Sequence, residues 1–173
     1  VNGTITMTAA GTCSISGIRL QTNSAPLLTV SGSAASIVNL IGCYLNCTNH
    51  TGITYSSSSA ASAINITNCM GDLGTTGIAL FSHSSLGALT FINSLIGNSG
   101  GSTTASTCSA GILNTNTSNF SLPITFSGTG AGELDYSVID TSASNTTSLT
   151  CGGSGGNILK FCRIKSGSAS AIS

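Results

Sequence analysis

A short apolar phrase recurs about every 25 residues, and this repeat limits the possible folds more than any other feature of the chain. The phrase alternates apolar and polar residues and ends on a small or apolar residue, as in Ile64-Asn-Ile66-Thr-Asn-Cys69. Its copies align on six anchor residues: Ile18, Cys43, Cys69, Ser94, Ser137 and Cys162. The spacing of these anchors is regular except for one long interval, between Ser94 and Ser137. A fixed period in the range of about 20–50 residues is typical of stacked structural repeats.

Each period also contains a second apolar run shortly after the anchor, such as Leu27-Leu28 after Ile18 and Ile53 after Cys43. Clusters of Ser, Thr, Gly and Asn separate the runs, which is typical of short strands joined by turns. No window has the apolar spacing of an amphipathic helix. We therefore predict an all-β fold, a single-stranded parallel β-helix (solenoid) of six to seven coils with about 25 residues per coil. Right-handed crossovers are expected from the general preference of parallel strands.

The interval between Ser94 and Ser137 is too long for one coil and too short for two regular ones. One interpretation is a single coil with two insertions, near Asn98–Thr107 and Asn114–Thr129. The other is two shortened coils. We predict irregular loop insertions within residues 97–130, in one domain that spans residues 1–173. Loops on a rigid scaffold often carry function, although Gly- and Ser-rich padding is an equal alternative.

The chain has seven cysteines, and three of them (Cys43, Cys69 and Cys162) occupy the anchor position. Residues at the same phase of a solenoid point the same way, so we predict an inward column of small side chains that also includes Ser94. The odd number and this phase favour buried free thiols over a disulfide framework.

The period also predicts contacts between side chains on neighbouring coils. Asp135 and Asp140 each precede a lysine (Lys160 and Lys165) by one period, which predicts two ion pairs between coils. The same offset predicts that Tyr136 stacks on Phe161, and that Asn68 lies beside Asn93.

Glu133 and Asp135 are the only closely spaced carboxylates and the only candidate catalytic residues. Their i, i+2 spacing places them on one face of a strand, as in a carboxylate pair that cleaves polysaccharide. Because Lys160 and Lys165 are available as partners, the sequence favours a structural role for Asp135 and Asp140. His83 lies among serines, and we expect a solvated imidazole in a turn. The sequence indicates no metal site and no cofactor.

Composition excludes several classes of function. Only 5% of the residues are charged, and four Lys and Arg residues cannot form the basic surface of a nucleic-acid-binding protein. No apolar stretch is long enough to span a membrane. The chain begins at Val1 and its last apolar residue falls in mid-coil, so we expect it to be a segment of a longer protein.

The phrase Ile64–Cys69 and its copies resemble the coils of the pectate-lyase-like β-helix superfamily. The Ser-, Thr-, Gly- and Asn-rich texture is most similar to the shafts of bacteriophage tail spikes and tail fibres, or to secreted bacterial adhesins. The lyase branch of the superfamily uses calcium-binding aspartates with a catalytic Arg or Lys. This chain has no aspartate cluster to match them, so the resemblance assigns no catalytic residue.

The resemblance implies a structural or receptor-binding β-helical rod, part of a phage tail fibre or tail spike that contacts the host surface. The implied partners are other copies of the chain, in a trimer or a stacked assembly, and a cell-surface polysaccharide or receptor. The implied location is the virion, the cell surface or the extracellular space. Two alternatives remain, a polysaccharide depolymerase (lyase or glycoside hydrolase) and a self-assembling secreted filament or adhesin. The sequence favours a role without catalysis.

Overall fold

The computed structural model describes residues 2–72, 79–97, 104–142, 147–167 and 170–173. Within these ranges the chain forms 21 strands and no helix. The strands make three parallel sheets of seven strands each, and every third strand in the sequence belongs to the same sheet. The predicted all-β parallel solenoid is therefore confirmed, with about six turns of about 25 residues.

Sheet 1 contains the first strand of each coil: β1 (Ile5–Met7), β4 (Leu28–Val30), β7 (Ile53–Tyr55), β10 (Phe81–His83), β13 (Ser106–Cys108), β16 (Ile124–Phe126) and β19 (Leu149–Cys151). Sheet 2 contains the second: β2 (Gly11–Ser16), β5 (Ser36–Ile41), β8 (Ala63–Thr67), β11 (Ala88–Ile92), β14 (Ile112–Asn116), β17 (Ala131–Asp135) and β20 (Asn157–Lys160). Sheet 3 contains the third: β3 (Arg19–Thr22), β6 (Tyr44–Cys47), β9 (Met70–Asp72), β12 (Leu95–Gly97), β15 (Asn119–Phe120), β18 (Val138–Thr141) and β21 (Arg163–Ser166).

The long interval between Ser94 and Ser137 consists of two coils, and the second is clearly shortened. In sheet 3, Leu95 pairs with Asn119 and Asn119 pairs with Val138, so an additional coil lies between the two anchors. The segment 114–129 is not an insertion, because it contains the end of β14 and all of β15 and β16. Residues 98–103 of the other expected insertion lie outside the described residues.

The core lies between the three sheets and is filled by alternate residues of each strand, as the period of two in a strand requires. Four aromatic residues (Tyr55, Phe81, Phe91 and Phe126) are among its largest fully buried side chains. The Phe91 ring contacts two other rings of the core, with centroid distances of 6.0 Å to Phe81 and 5.3 Å to Phe120. The contact with Phe120 joins consecutive coils through the centre of the rod.

A left-handed residue turns the chain at every corner between sheets 2 and 3. The seven corner residues have φ between 46° and 65°: Gly17, Gly42, Asn68, Asn93, Thr117, Tyr136 and Phe161. The residue after each one points inward and forms the predicted anchor column. Ser118 is the anchor of the additional coil, and the comparison of the repeats within the sequence did not identify it.

The anchor column is hydrogen-bonded as well as buried. The backbone N–H of Cys43 donates to Cys69 Sγ at 3.4 Å, that of Cys69 to Ser94 Oγ at 3.2 Å, and that of Ser94 to Ser118 Oγ at 3.2 Å. The inward position of Cys43, Cys69 and Ser94 is confirmed. Cys162 is only partly buried because its coil is the last one described. All seven cysteines are free thiols, as predicted.

Candidate functional site

Two exposed aromatic rings stack on the corner between sheets 2 and 3. Tyr136 and Phe161 occupy equivalent positions on neighbouring coils, and their ring centroids lie 4.8 Å apart with planes 13° from parallel. Tyr136 is 56% exposed and Phe161 is 79% exposed. The stack that the period predicts is therefore confirmed, and it forms an aromatic ladder on the outside of the rod.

The backbone under this aromatic ladder is strained. Tyr136 and Phe161 have φ of 46° and 51°, whereas the first four coils place Gly or Asn at the same corner. The left-handed conformation costs a residue with a Cβ roughly 1–2 kcal/mol relative to the right-handed one. Burial cannot offset this cost for rings that face solvent. Strain that folding does not require is a feature of binding surfaces.

Glu133 and Asp135 lie directly before the aromatic ladder, on β17 of sheet 2. Both side chains are on the outer face, as their i, i+2 spacing predicts, because Gly132 and Leu134 beside them are buried. In the part of the chain that the structure describes, Asp135 Oδ1 is buried and has no hydrogen-bond partner. The structure therefore brings the two predicted candidate residues together with an aromatic surface that the sequence did not connect to them.

Lys160 joins this cluster, but through a different partner from the predicted one. Asp135 does pair with Lys160 in the strand register. The lysine side chain reaches diagonally instead, and its Nζ lies 2.6 Å from Glu133 Oε1. The hydrogen bond to Glu133 raises the pKa of Lys160 above its usual value. The predicted Asp135–Lys160 ion pair is thus wrong, whereas the Asp140–Lys165 pair is present at 3.9 Å.

A shallow groove crosses the outer face of sheet 2 beside the carboxylates. One part, of about 190 Å³, lies between β11, β14 and β17 and is lined by Asn114, Asn116, Glu133 and Asp135 among others. A second part, of about 300 Å³, shares Asn114 and Glu133 and continues to β20. Amides, carboxylates and an ammonium therefore converge beside two exposed rings. Such groups can hydrogen-bond hydroxyls while the rings contact an apolar face.

Another cavity, of about 430 Å³, lies at the other end of the rod. Its lining is mostly polar and includes Arg19, Gln21 and Asn46. The Arg19 guanidinium lies 5.1 Å from the centroid of the Tyr44 ring. We place the candidate site at Glu133–Phe161 because carboxylates, a cation and an exposed aromatic stack converge there.

His83 is a core residue, so the expectation of a solvated imidazole is wrong. Its side chain is fully buried and stacks on Tyr55 with centroids 4.8 Å apart. Its Nε2 lies 3.2 Å from the carbonyl oxygen of Ile112. The surrounding serines suggested an exposed turn. Only alternate residues of this strand face solvent, however, and His83 is one of the inward residues. A comparison in register would have found it, since His83 lies one period before the buried Cys108.

One of the two candidate carboxylates already has a charged partner. Lys160 holds Glu133 in an ion pair at the surface. Among the described residues, no three His, Cys, Asp or Glu side chains are close enough together to hold a metal ion. Those residues also contain no helix that is long and apolar enough to cross a membrane.

Comparison with known proteins does not assign this site. The chain matches no protein-family model, no curated protein and no solved structure.

Proposed function

We propose that this chain is a β-helical rod that binds a cell-surface polysaccharide through Glu133, Asp135, Lys160 and the aromatic ladder of Tyr136 and Phe161. A rod with this role belongs in a phage tail fibre or tail spike, and the resemblance of its coils to the pectate-lyase-like superfamily supports that assignment. On this proposal the rod acts outside the cell or on a virion, as a trimer or a stacked assembly. Its role is attachment rather than catalysis.

The observation that carries the proposal is the strained, exposed aromatic ladder. Glycine at either corner would remove the strain, yet the two largest side chains of the corner series stand there. Their stacking is worth only about 0.5–1.5 kcal/mol, which does not exceed the cost of two left-handed residues. A ligand that packs against the rings would explain why they are kept.

A sugar ring fits this surface better than a nucleic acid. The C–H face of a sugar packs on an aromatic ring, and its hydroxyls donate to carboxylates and accept from Lys160 or the amides of Asn114 and Asn116. The two rings stack nearly face to face at 4.8 Å, so each covers one face of the other and a sugar would pack on the outer face of either ring. Nucleic acid would require a basic surface, and Glu133 and Asp135 make this one acidic.

The test replaces each ring-bearing residue by glycine, which can adopt the same left-handed backbone conformation. In Tyr136→Gly and Phe161→Gly, the loss of stacking and the relief of strain oppose each other, so we expect stability to change by less than about 1 kcal/mol. We expect glycan binding to be lost, measured on an array of bacterial surface polysaccharides and then by calorimetry with the best glycan. A destabilised but fully binding variant would contradict the proposal.

Asn68→Gly is the matched control, because Asn68 has the same left-handed conformation at a corner three coils before Tyr136 and its replacement removes no aromatic ring. It should bind the glycan like the wild-type chain. A depolymerase is the second candidate, favoured by the two carboxylates on one face of the groove. If the rod shortens the bound polysaccharide, and Glu133→Gln or Asp135→Asn abolishes this cleavage, then the enzyme replaces the attachment role.

A further inference from the structure

Sheet 1 presents a hydroxyl group at the centre of every one of its strands. The central residue of each strand faces outward, between two inward residues. In register, these central residues are Thr6, Thr29, Thr54, Ser82, Thr107, Thr125 and Thr150. We call this set the threonine row. It runs the whole length of the rod.

A second row of hydroxyls lies two residues after the threonine row, directly past the end of each strand, at positions that are exposed or partly exposed. Its members are Thr8, Ser31, Ser56, Ser84, Ser109 and Ser127, with Gly152 in the seventh coil. Backbone hydrogen bonds continue the register to this row, since the N–H of Ser56 donates to Val30 O at 2.9 Å and that of Ser84 to Tyr55 O at 2.8 Å. The coils therefore repeat a Thr-x-Ser pattern that faces outward.

The two rows form a rectangular lattice. Neighbouring strands of a sheet lie about 4.8 Å apart, and residues i and i+2 of one strand about 6.7 Å apart. Seven strands extend the threonine row over about 29 Å. A repeating two-dimensional array of this kind suits a repeating ligand rather than a single small molecule.

The lattice is uncharged, and most of its hydroxyls are unused by the protein. In the described part of the chain, the side chains of Thr29, Thr54, Thr107 and Thr125 form no hydrogen bond to other protein groups. All eight charged residues of the chain lie on strands of sheets 2 and 3. Thr150 is an exception, since its Oγ1 accepts from Ser173 Oγ at 3.1 Å. The other hydroxyls of the threonine row are therefore available to bind water.

Strand propensity does not explain the threonine row. Threonine is favoured on exposed strands, and a structural requirement alone would produce similar rows on the other faces. The equivalent central row of sheet 2 is instead mixed: Ser14, Asn39, Asn65, Thr90, Asn114, Glu133 and Ile158. Of these two faces, only that of sheet 1 has uniform chemistry.

We propose that the outer face of sheet 1 binds ice. Water molecules in ice form regular rows of hydrogen-bonding oxygens, and a lattice of hydroxyls can take the place of such oxygens, with the threonine methyls packed between them. Other extended solids fit less well. A mineral surface requires carboxylates, a crystalline polysaccharide favours aromatic platforms and a lipid surface requires apolar side chains, and the two rows provide none of these.

The test compares wild-type protein with Thr54→Tyr and Thr107→Lys in slowly growing ice. Both changes place a large side chain in the middle of the threonine row. Wild-type protein should be incorporated into the ice and should separate the freezing point from the melting point of a seeded crystal. Each variant should lose most of both effects while it keeps the circular dichroism spectrum of the wild-type chain.

Thr67→Lys is the matched control, because Thr67 lies on the outer face of sheet 2, which is a different face of the rod. It should behave as wild-type in ice. Exclusion of the wild-type chain from ice would overturn the proposal, as would equal incorporation of Thr54→Tyr. Binding to crystalline cellulose or chitin that Thr54→Tyr abolishes, without any effect on ice, would assign the face to a polysaccharide instead. The proposed glycan site lies at the corner between sheets 2 and 3, so loss of glycan binding and loss of ice binding can be measured separately.

Discussion

His83 shows how a single residue can be placed by register rather than by its neighbours in sequence. It is held between the Tyr55 ring and the Ile112 carbonyl inside the rod. Burial lowers the pKa of His83 below its usual value. The folded chain therefore holds a neutral imidazole at a pH where the unfolded chain already binds a proton.

This proton difference makes stability depend on pH. Above about pH 6.5, His83 is neutral in both the folded and the unfolded state, and its contribution to stability is fully present. As the pH falls below about 6.5, the unfolded state binds a proton first. Stability therefore falls until the pH reaches the pKa of His83 in the folded state. The slope for one proton is at most about 1.4 kcal/mol per pH unit. Cys108 does not contribute, because burial raises its pKa to about 11. Urea unfolding under reducing conditions between pH 8 and pH 5 measures the effect.

The two histidines of the chain provide the variant and its control. His83→Gln should remove the loss of stability between pH 6.5 and pH 5, whereas His50→Gln should retain it because His50 is exposed. A slope that persists in His83→Gln would contradict the linkage to this residue.

At the scale of the element, each corner combines a left-handed residue with an inward anchor. Ser94 illustrates the anchor, since its Oγ donates to Ile92 O at 3.0 Å or Ile66 O at 3.3 Å and accepts from the N–H of Cys69. Cysteine fills the same position in the two preceding coils. In these central coils the position therefore requires a small side chain with a hydrogen-bonding atom, and not only a small volume.

Ser94→Ala keeps the size but leaves the buried N–H of Cys69 without an acceptor. We expect a loss of about 1–3 kcal/mol in the free energy of unfolding, measured with urea. Ser94→Cys should lose less, because Cys43 and Cys69 already serve as anchors. Ser84→Ala, on the exposed face of sheet 1, should change stability by less than about 0.5 kcal/mol. Equal losses in Ser94→Ala and Ser94→Cys would show that hydrogen bonding at the anchor contributes nothing.

The sequence predicts most corners but not the one at Ser118. In the regular coils, an inward apolar residue precedes the anchor, as Ile66 precedes Cys69. In the added coil the equivalent inward residue is Thr115, which is polar and donates to Ser137 Oγ at 2.9 Å. Because a buried hydrogen bond stands here in place of an apolar contact, the apolar repeat pattern did not identify this coil. The partner of Lys160 was missed for another reason, because strand register fixes the backbone but not the direction of a long side chain.

At the scale of the whole molecule, strand pairing joins each coil only to its neighbours. The pairing runs in a single order through every sheet, from the first coil to the seventh. Central coils are covered on both sides, and Ile66 and Phe91 there are fully buried. In the last described coil, Leu159 is 40% exposed although its position in the register is inward. Stability in such a stack is a sum over coils and their interfaces.

Amide hydrogen exchange should follow this gradient. We expect the strongest protection in β8 and β11 and the weakest in the two end coils, for example in β2 and β20, because an end coil can open after losing only one interface. Phe91→Ala should cost about 3–5 kcal/mol and reduce protection in β8, β11 and β14 together, since β11 lies between the other two strands. Equal protection along the rod, before and after this change, would show instead that the stack opens only as one cooperative unit.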